Sequence, residues 1–135
     1  MQNKNKLLIG ENETIKKAII KIKKNGTRTV VVVNNKNSLL GTLTEGDIQK
    51  ALLKNVKINS NIKSLYNKSP KKINLNNINL DTISKIFIKG QYGALPVVDS
   101  KNIVQKVITW PQIFNSKKVK LKLKKIDVVI MAGGK

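Results

Sequence analysis

The strongest constraint on this chain is that its pattern is written twice. Thr44 and Thr109 stand 65 positions apart. The same offset carries Ile15, Ala18 and Ile22 onto Leu80, Ile83 and Phe87, Val32 and Val33 onto Val97 and Val98, Leu43 onto Ile108, and Ile48 onto Ile113. Thr14 falls on Asn79, and both are good helix caps. Ile73 takes the part of Leu8 in an opening strand. A fixed period over two copies indicates a tandem duplication in which neither half buries its apolar faces alone. Roughly 60 residues are marginal for a lone domain, so the halves are expected to pack against each other through sheet and helix faces.

Each copy has its own punctuation. Leu7 to Ile9 form a short apolar strand stopped by Gly10, and Ile15, Ala18, Ile19 and Ile22 then recur at the spacing of one helix face. Thr14 or Asn12 can cap that helix, and Asn25-Gly26 end it. Val30 to Val33 are a β-branched run, hence a buried strand. Asn34 to Ser38 have turn chemistry, and Leu39 to Leu43 close a hairpin. Glu45 to Leu53 form a second helix with Ile48, Ala51 and Leu52 inward. The order is strand, helix, strand, strand, helix, with Asn55 to Pro70 as a polar connector before the second copy. The expected division is 1–58, 59–116 and a tail of 117–135.

Composition narrows the chemistry. The 135 residues contain no cysteine and no histidine, which removes disulfides, thiolate and imidazole catalysis, and leaves a metal only oxygen ligands from seven carboxylates. A non-catalytic chain that binds no metal is expected. The net charge is +20, from 27 Lys plus Arg against 7 Asp plus Glu, which would attract phosphates or nucleic acid. The lysines are spread along the chain and come with abundant asparagine, so most read as solvated faces. Nucleic acid is not the expected partner, because stacking aromatics are few (Tyr66, Tyr92, Phe87, Phe114 and Trp110) and no recognition helix is evident. No start resembles a secretory signal, and no apolar run approaches the roughly 20 residues of a membrane span, so a soluble cytoplasmic protein is expected.

Chemistry concentrates in Gly41-Thr42-Leu43-Thr44-Glu45-Gly46-Asp47-Ile48. A strand ends at Leu43, Thr44 occupies a helix N-cap, and the first helical N–H groups favour a phosphate. The Thr44 hydroxyl can donate to a phosphate or ribose oxygen, and Asp47 can accept two hydrogen bonds from a ribose diol. Gly41 and Gly46 lower side-chain bulk where a ligand would approach. The same Thr-x-x-Asp spacing is nearly a capping box, which needs no ligand. In the second copy, Thr109-Trp110-Pro111-Gln112, a capping threonine remains, Gln112 replaces the carboxylate, and Lys106 stands where Gly41 does. Capping alone explains that copy. Gln112 could still meet a ribose as a neutral amide, at a weaker or empty site. Asp47 and Gly41 exceed what capping needs, so Thr44 and Asp47 are expected to contact a nucleotide.

With this repeat and the G-x-x-T-x-x-D string, residues 7–115 resemble a tandem pair of cystathionine β-synthase (CBS) domains. The helix starts at Thr14 and Asn79 carry the likeness, with Ala94-Leu95-Pro96-Val97-Val98-Asp99 and the hairpins into GTLTEGDI and KVITWPQI. The resemblance implies an α+β fold of two β-α-β-β-α units around a pseudo-twofold axis, with clefts for adenine nucleotides such as AMP, ADP or ATP. It implies nucleotide contacts at Thr44 and Asp47, extended to Gly41, and a second position at Thr109 with Gln112 departing from the aspartate. No cofactor is required. In the tail, Lys118, Lys120, Lys122 and Lys124 alternate with Val119, Leu121 and Leu123, an edge-strand or linker pattern. Asp127 to Met131 and Ala132-Gly133-Gly134-Lys135 resemble the first strand and glycine loop of a sugar-phosphate nucleotidyltransferase. The expected function is a regulatory nucleotide-binding module that controls such an attached enzyme. The alternative is a ligand-free dimerisation module, its homodimer surface around Ile48, Ala51 and Leu52 and around Ile113 and Phe114.

Overall fold

The second strand, β2 (Thr29–Val33), is apolar on both faces because both faces are covered. In the computed structural model, which describes residues 6–114, Val30 and Val32 pack with Ile15, Ala18, Ile22 and Ile48. Val31 and Val33 pack the other way, with Ala94, Val98 and Val107 of the second copy. That alternation is the period of two that a strand imposes. A third cluster, Ile73, Ile83, Phe87, Leu95, Val97 and Ile113, closes the far side. The result is four layers: helices, sheet, sheet, helices. Each fully buried valine, leucine or isoleucine contributes about 1.5–3 kcal/mol, and the middle layer draws on both copies at once.

The elements run β1 (Leu8–Gly10), α1 (Ile15–Asn25), β2, β3 (Leu39–Thr44) and α2 (Glu45–Leu53), then β4 (Ile73–Asn74), α3 (Leu80–Gly90), β5 (Ala94–Val98), β6 (Val104–Thr109) and α4 (Trp110–Phe114). The fold is α+β, with two β-α-β-β-α units and two mixed three-stranded sheets, β1-β2-β3 and β4-β5-β6. In each sheet the middle strand is parallel to the first and antiparallel to the third. Even the irregularity is copied: the register shifts between Val32 and Val33, and again between Val97 and Val98.

Local chemistry sets the helix ends. The Lys17 N–H donates to Thr14 Oγ1 at 3.1 Å, and Gly26 ends α1 in the left-handed region at φ 65°. In the second unit the Thr82 N–H donates to Asn79 Oδ1 at 3.0 Å, and Gln91 takes the left-handed position at φ 53°. Across the pseudo-twofold axis the hairpin turns bond reciprocally. The Leu39 N–H donates to the Asn102 carbonyl and the Val104 N–H to the Asn37 carbonyl, both at 2.9 Å.

Three expectations change. Ile73 pairs with Val97, the counterpart of Val32, whereas Leu8 pairs with Val31. Ile73 therefore stands where Ile9 does, one residue off the common offset. The connector is also not a mere spacer, since Ile62 and Tyr66 belong to the first unit's core. Its polar surface hid two anchoring side chains. Of the residues expected to form a homodimer surface, Ile48, Ala51 and Ile113 are buried in this chain's own cores, because their inward helix faces meet the sheets. Leu52 is exposed, and Leu53, next to it, is 84% exposed. The tail at 117–135, with its strand-and-glycine pattern, lies outside the described residues.

Candidate functional site

Two neighbouring cavities open where α2 begins. The smaller, about 440 Å³, is lined by Thr44 and Asp47 from α2's start, Asn67 and Ser69 from the connector, Lys71 just after it, and Tyr92 and Leu95 from the second unit. The larger, about 770 Å³, lies on the pseudo-twofold axis between the start of α2 and the start of α4. Both cavities use residues of both units, so a ligand in either would touch the two halves together.

At α2 the capping box is complete. The Asp47 N–H donates to Thr44 Oγ1 and the Thr44 N–H donates to Asp47 Oδ2, both at 3.1 Å. Sequence reasoning assigned Asp47 to a role beyond capping, yet the structure gives it the cap as well. One carboxylate oxygen serves the helix. Among the described residues Oδ1 has no hydrogen bond, and Asp47 is only half-buried on the cavity wall. A carboxylate offers about four acceptor positions, so the cap leaves capacity for a diol. The Thr44 hydroxyl accepts from Asp47 and keeps its own proton to donate.

Gly41 is required for a different reason from the expected one. It does not line either cavity. A Cβ there would run into the Asn67 carbonyl oxygen and the Tyr66 ring. Its absence lets the connector lie against β3, where the Thr42 N–H donates to the Asn67 carbonyl at 3.1 Å and the Asn67 N–H to the Thr42 carbonyl at 2.8 Å. Tyr66 then reaches back to donate to Glu11 at 3.0 Å, and burial first, then this bond, raises the phenol's pKa. Gly41 thus builds the cavity wall indirectly. Gly46 does line the larger cavity, with room for a Cβ.

The second copy keeps less. The Thr109 N–H donates to Gln112 Oε1 at 2.9 Å, one half of the same arrangement. Thr109 is buried and Gln112 half-buried, and neither lines the cavities above. Lys106, in the place of Gly41, is exposed. Among the described residues no cluster of His, Cys, Asp and Glu could hold a metal ion. Nor, among them, is any helix long and apolar enough to cross a membrane.

Sequence reasoning passed over Arg28, Lys71 and Tyr92. A signal for Arg28 was available, since it is the single arginine among 27 basic residues. Lys71 was hidden among lysines, and Tyr92 needed the fold to bring it beside Thr44.

Comparison with known proteins agrees with this architecture. Residues 2–54 match the CBS domain family. A CBS domain protein from Pyrobaculum aerophilum complexed with AMP superposes with a TM-score of 0.73 at 15% identity, covering 88% of this chain and 91% of that one. Two curated relatives share sequence. An uncharacterized protein of Helicobacter pylori strain J99 is 29% identical over 114 residues, covering 84% of this chain and 34% of that protein. A homoserine O-acetyltransferase of Methanococcus vannielii is 36% identical over 121 residues, covering 86% of this chain and 24% of that protein. The chain therefore spans about a third or less of the curated relatives it matches. Its fold is that of a tandem CBS domain pair.

Proposed function

We propose that this CBS pair is a regulatory, non-catalytic module that binds an adenine nucleotide in the smaller cavity and passes its occupancy to an attached enzyme. The observation that carries the reading is Asp47, which caps α2 with one oxygen and lines a two-unit cavity beside the Thr44 hydroxyl. Asp47 accepts the ribose diol, Thr44 meets the first phosphate, and Lys71 adds positive charge on the same wall. The AMP carried by the Pyrobaculum protein supports an adenine nucleotide as the ligand class. Thr109 and Gln112 mark the second position, weaker or empty because a neutral amide stands in place of the carboxylate. Titration calorimetry with AMP, ADP and ATP tests the reading; absence of heat for all three up to millimolar concentration would sink it.

The attached enzyme we assign is a sugar-phosphate nucleotidyltransferase, on the sequence of Asp127 to Lys135 alone. The Methanococcus relative bears the name of an acetyltransferase, so likeness of the CBS pair does not choose the enzyme. A protein containing this module should transfer a nucleotidyl group to a sugar phosphate at a rate that changes with AMP. A second reading, a ligand-free dimerisation module, draws on exposed Leu52 and Leu53 of α2. Sedimentation showing a dimer indifferent to nucleotides would favour it.

A further inference from the structure

The two cavities share part of their walls: Thr29, Thr44 and Tyr92 line both. The larger one is unlike on its two sides, and the repeat makes the difference exact position by position. Unit one contributes Arg28, Glu45 and Gly46 where unit two contributes Gly93, Trp110 and Pro111. One side is charged, the other aromatic and apolar.

Arg28 is the feature to explain. It is the chain's only arginine, it is exposed on the cleft, and it has no ion pair among the described residues. Its backbone is fixed, with φ at 60° and its carbonyl accepting from the Glu45 N–H at 2.9 Å. A guanidinium presents a planar fork that fits two phosphate oxygens, which the ammonium groups of the 26 lysines cannot imitate. Gly46 adds a first-turn N–H without an intrahelical partner. Opposite, Trp110 is held against Phe87 and Phe114, with ring centroids 6.1 and 4.4 Å away. An apolar wall of this kind displaces water and strengthens a charged contact made beside it.

We infer that the ligand is a nucleoside di- or triphosphate lying across both cavities, and that Arg28 grips the phosphates beyond the first. The inference rests on the nucleoside reading of the Asp47 pocket. The phosphate beside Thr44 is common to AMP, ADP and ATP, and Arg28 distinguishes the longer ones. Glu45, the carboxylate on the same wall, opposes that preference and limits its size. Because Gly93 carries no cation and Pro111 no N–H, the cleft grips phosphate from one side, and one such nucleotide binds per chain.

Calorimetry with AMP, ADP and ATP on the wild type, Arg28→Gln and Glu45→Gln decides this, with Trp110 fluorescence as a second readout of the cleft. ADP or ATP should bind about tenfold or more tighter than AMP, as expected for a charge-assisted contact, with one nucleotide per chain. Arg28→Gln should bring their affinity down to that of AMP, and Glu45→Gln should widen the preference. Glutamine already occupies a left-handed position at Gln91, so the Arg28 variant should fold, as its circular dichroism would show. If AMP binds as tightly as ATP, if the preference survives Arg28→Gln, or if two ATP bind, this inference falls while the Asp47 reading stands. If no nucleotide binds at all, both fall.

Discussion

The starts of α2 and α4 occupy equivalent places and make one hydrogen bond in common, from the threonine N–H to the side chain three residues on. At α2 that side chain is an aspartate, the threonine hydroxyl returns the bond, and Arg28 stands nearby on the cleft. At α4 it is a glutamine, with Gly93 in the place of Arg28. The bond therefore says nothing about binding. The difference lies in the charge that remains once the helix is capped. Capping and ligand binding had looked like competing explanations of Thr-x-x-Asp; in the structure the cap uses one oxygen of the carboxylate and leaves the other without a hydrogen bond among the described residues.

The largest expected effect tests the strand that leads into this site. Gly41→Ala should cost about 1–3 kcal/mol as a forced overpacking against Asn67 and Tyr66, whereas Lys106→Ala at the matching place should stay within about 0.5 kcal/mol. Urea midpoints of the two variants measure it, and equal shifts would mean the connector does not need that glycine. Next comes the transplant Asp47→Gln, which gives α2 the side chain of α4. Stability should change by no more than about 0.5 kcal/mol because the cap survives, while nucleotide affinity drops about fivefold as a charged acceptor becomes neutral. A matching loss of stability would show that Asp47 is only a cap.

The smallest effect concerns the turns. Asn34 and Asp99 are equivalent, and each accepts two backbone N–H bonds through Oδ1, at 2.9 and 3.0 Å. Hydrogen bonding, foremost from the Ile103 N–H, holds the Asp99 carboxyl below its ordinary value. A group lowered on folding stabilises above its unfolded pKa of about 3.9 and loses that contribution as pH falls through the folded value. Melting temperature should thus fall below about pH 4 more in the wild type than in Asp99→Asn. Parallel curves for the two would show that the carboxylate adds nothing over the asparagine of the first turn.

Much of the fold could be read from the repeat, because burial on a strand or helix face demands apolar residues at fixed spacing. Val30 to Val33, Ile15 with Ala18 and Ile22, and the caps Thr14 and Asn79 all followed from such local rules. The one-residue slip at Ile73 did not, since a two-residue strand carries too little periodicity to fix its register. Ile62 and Tyr66 were missed because a pair of apolar side chains in a polar stretch resembles ordinary loop composition. For the site, Thr44 and Asp47 were legible as a motif. The reason for Gly41 was not, because it depends on a segment 25 residues further on, and Arg28, Lys71 and Tyr92 needed three separate segments to be brought together.

The middle layer, in which Leu7, Leu8, Val31 and Val33 meet Ala94, Val98, Val104 and Val107, bears on how the chain comes apart. Neither unit can melt without uncovering the sheet face that the other packs against. The duplication therefore behaves as one cooperative block: heat should unfold it in a single transition, and a lesion in either copy should lower the melting of both.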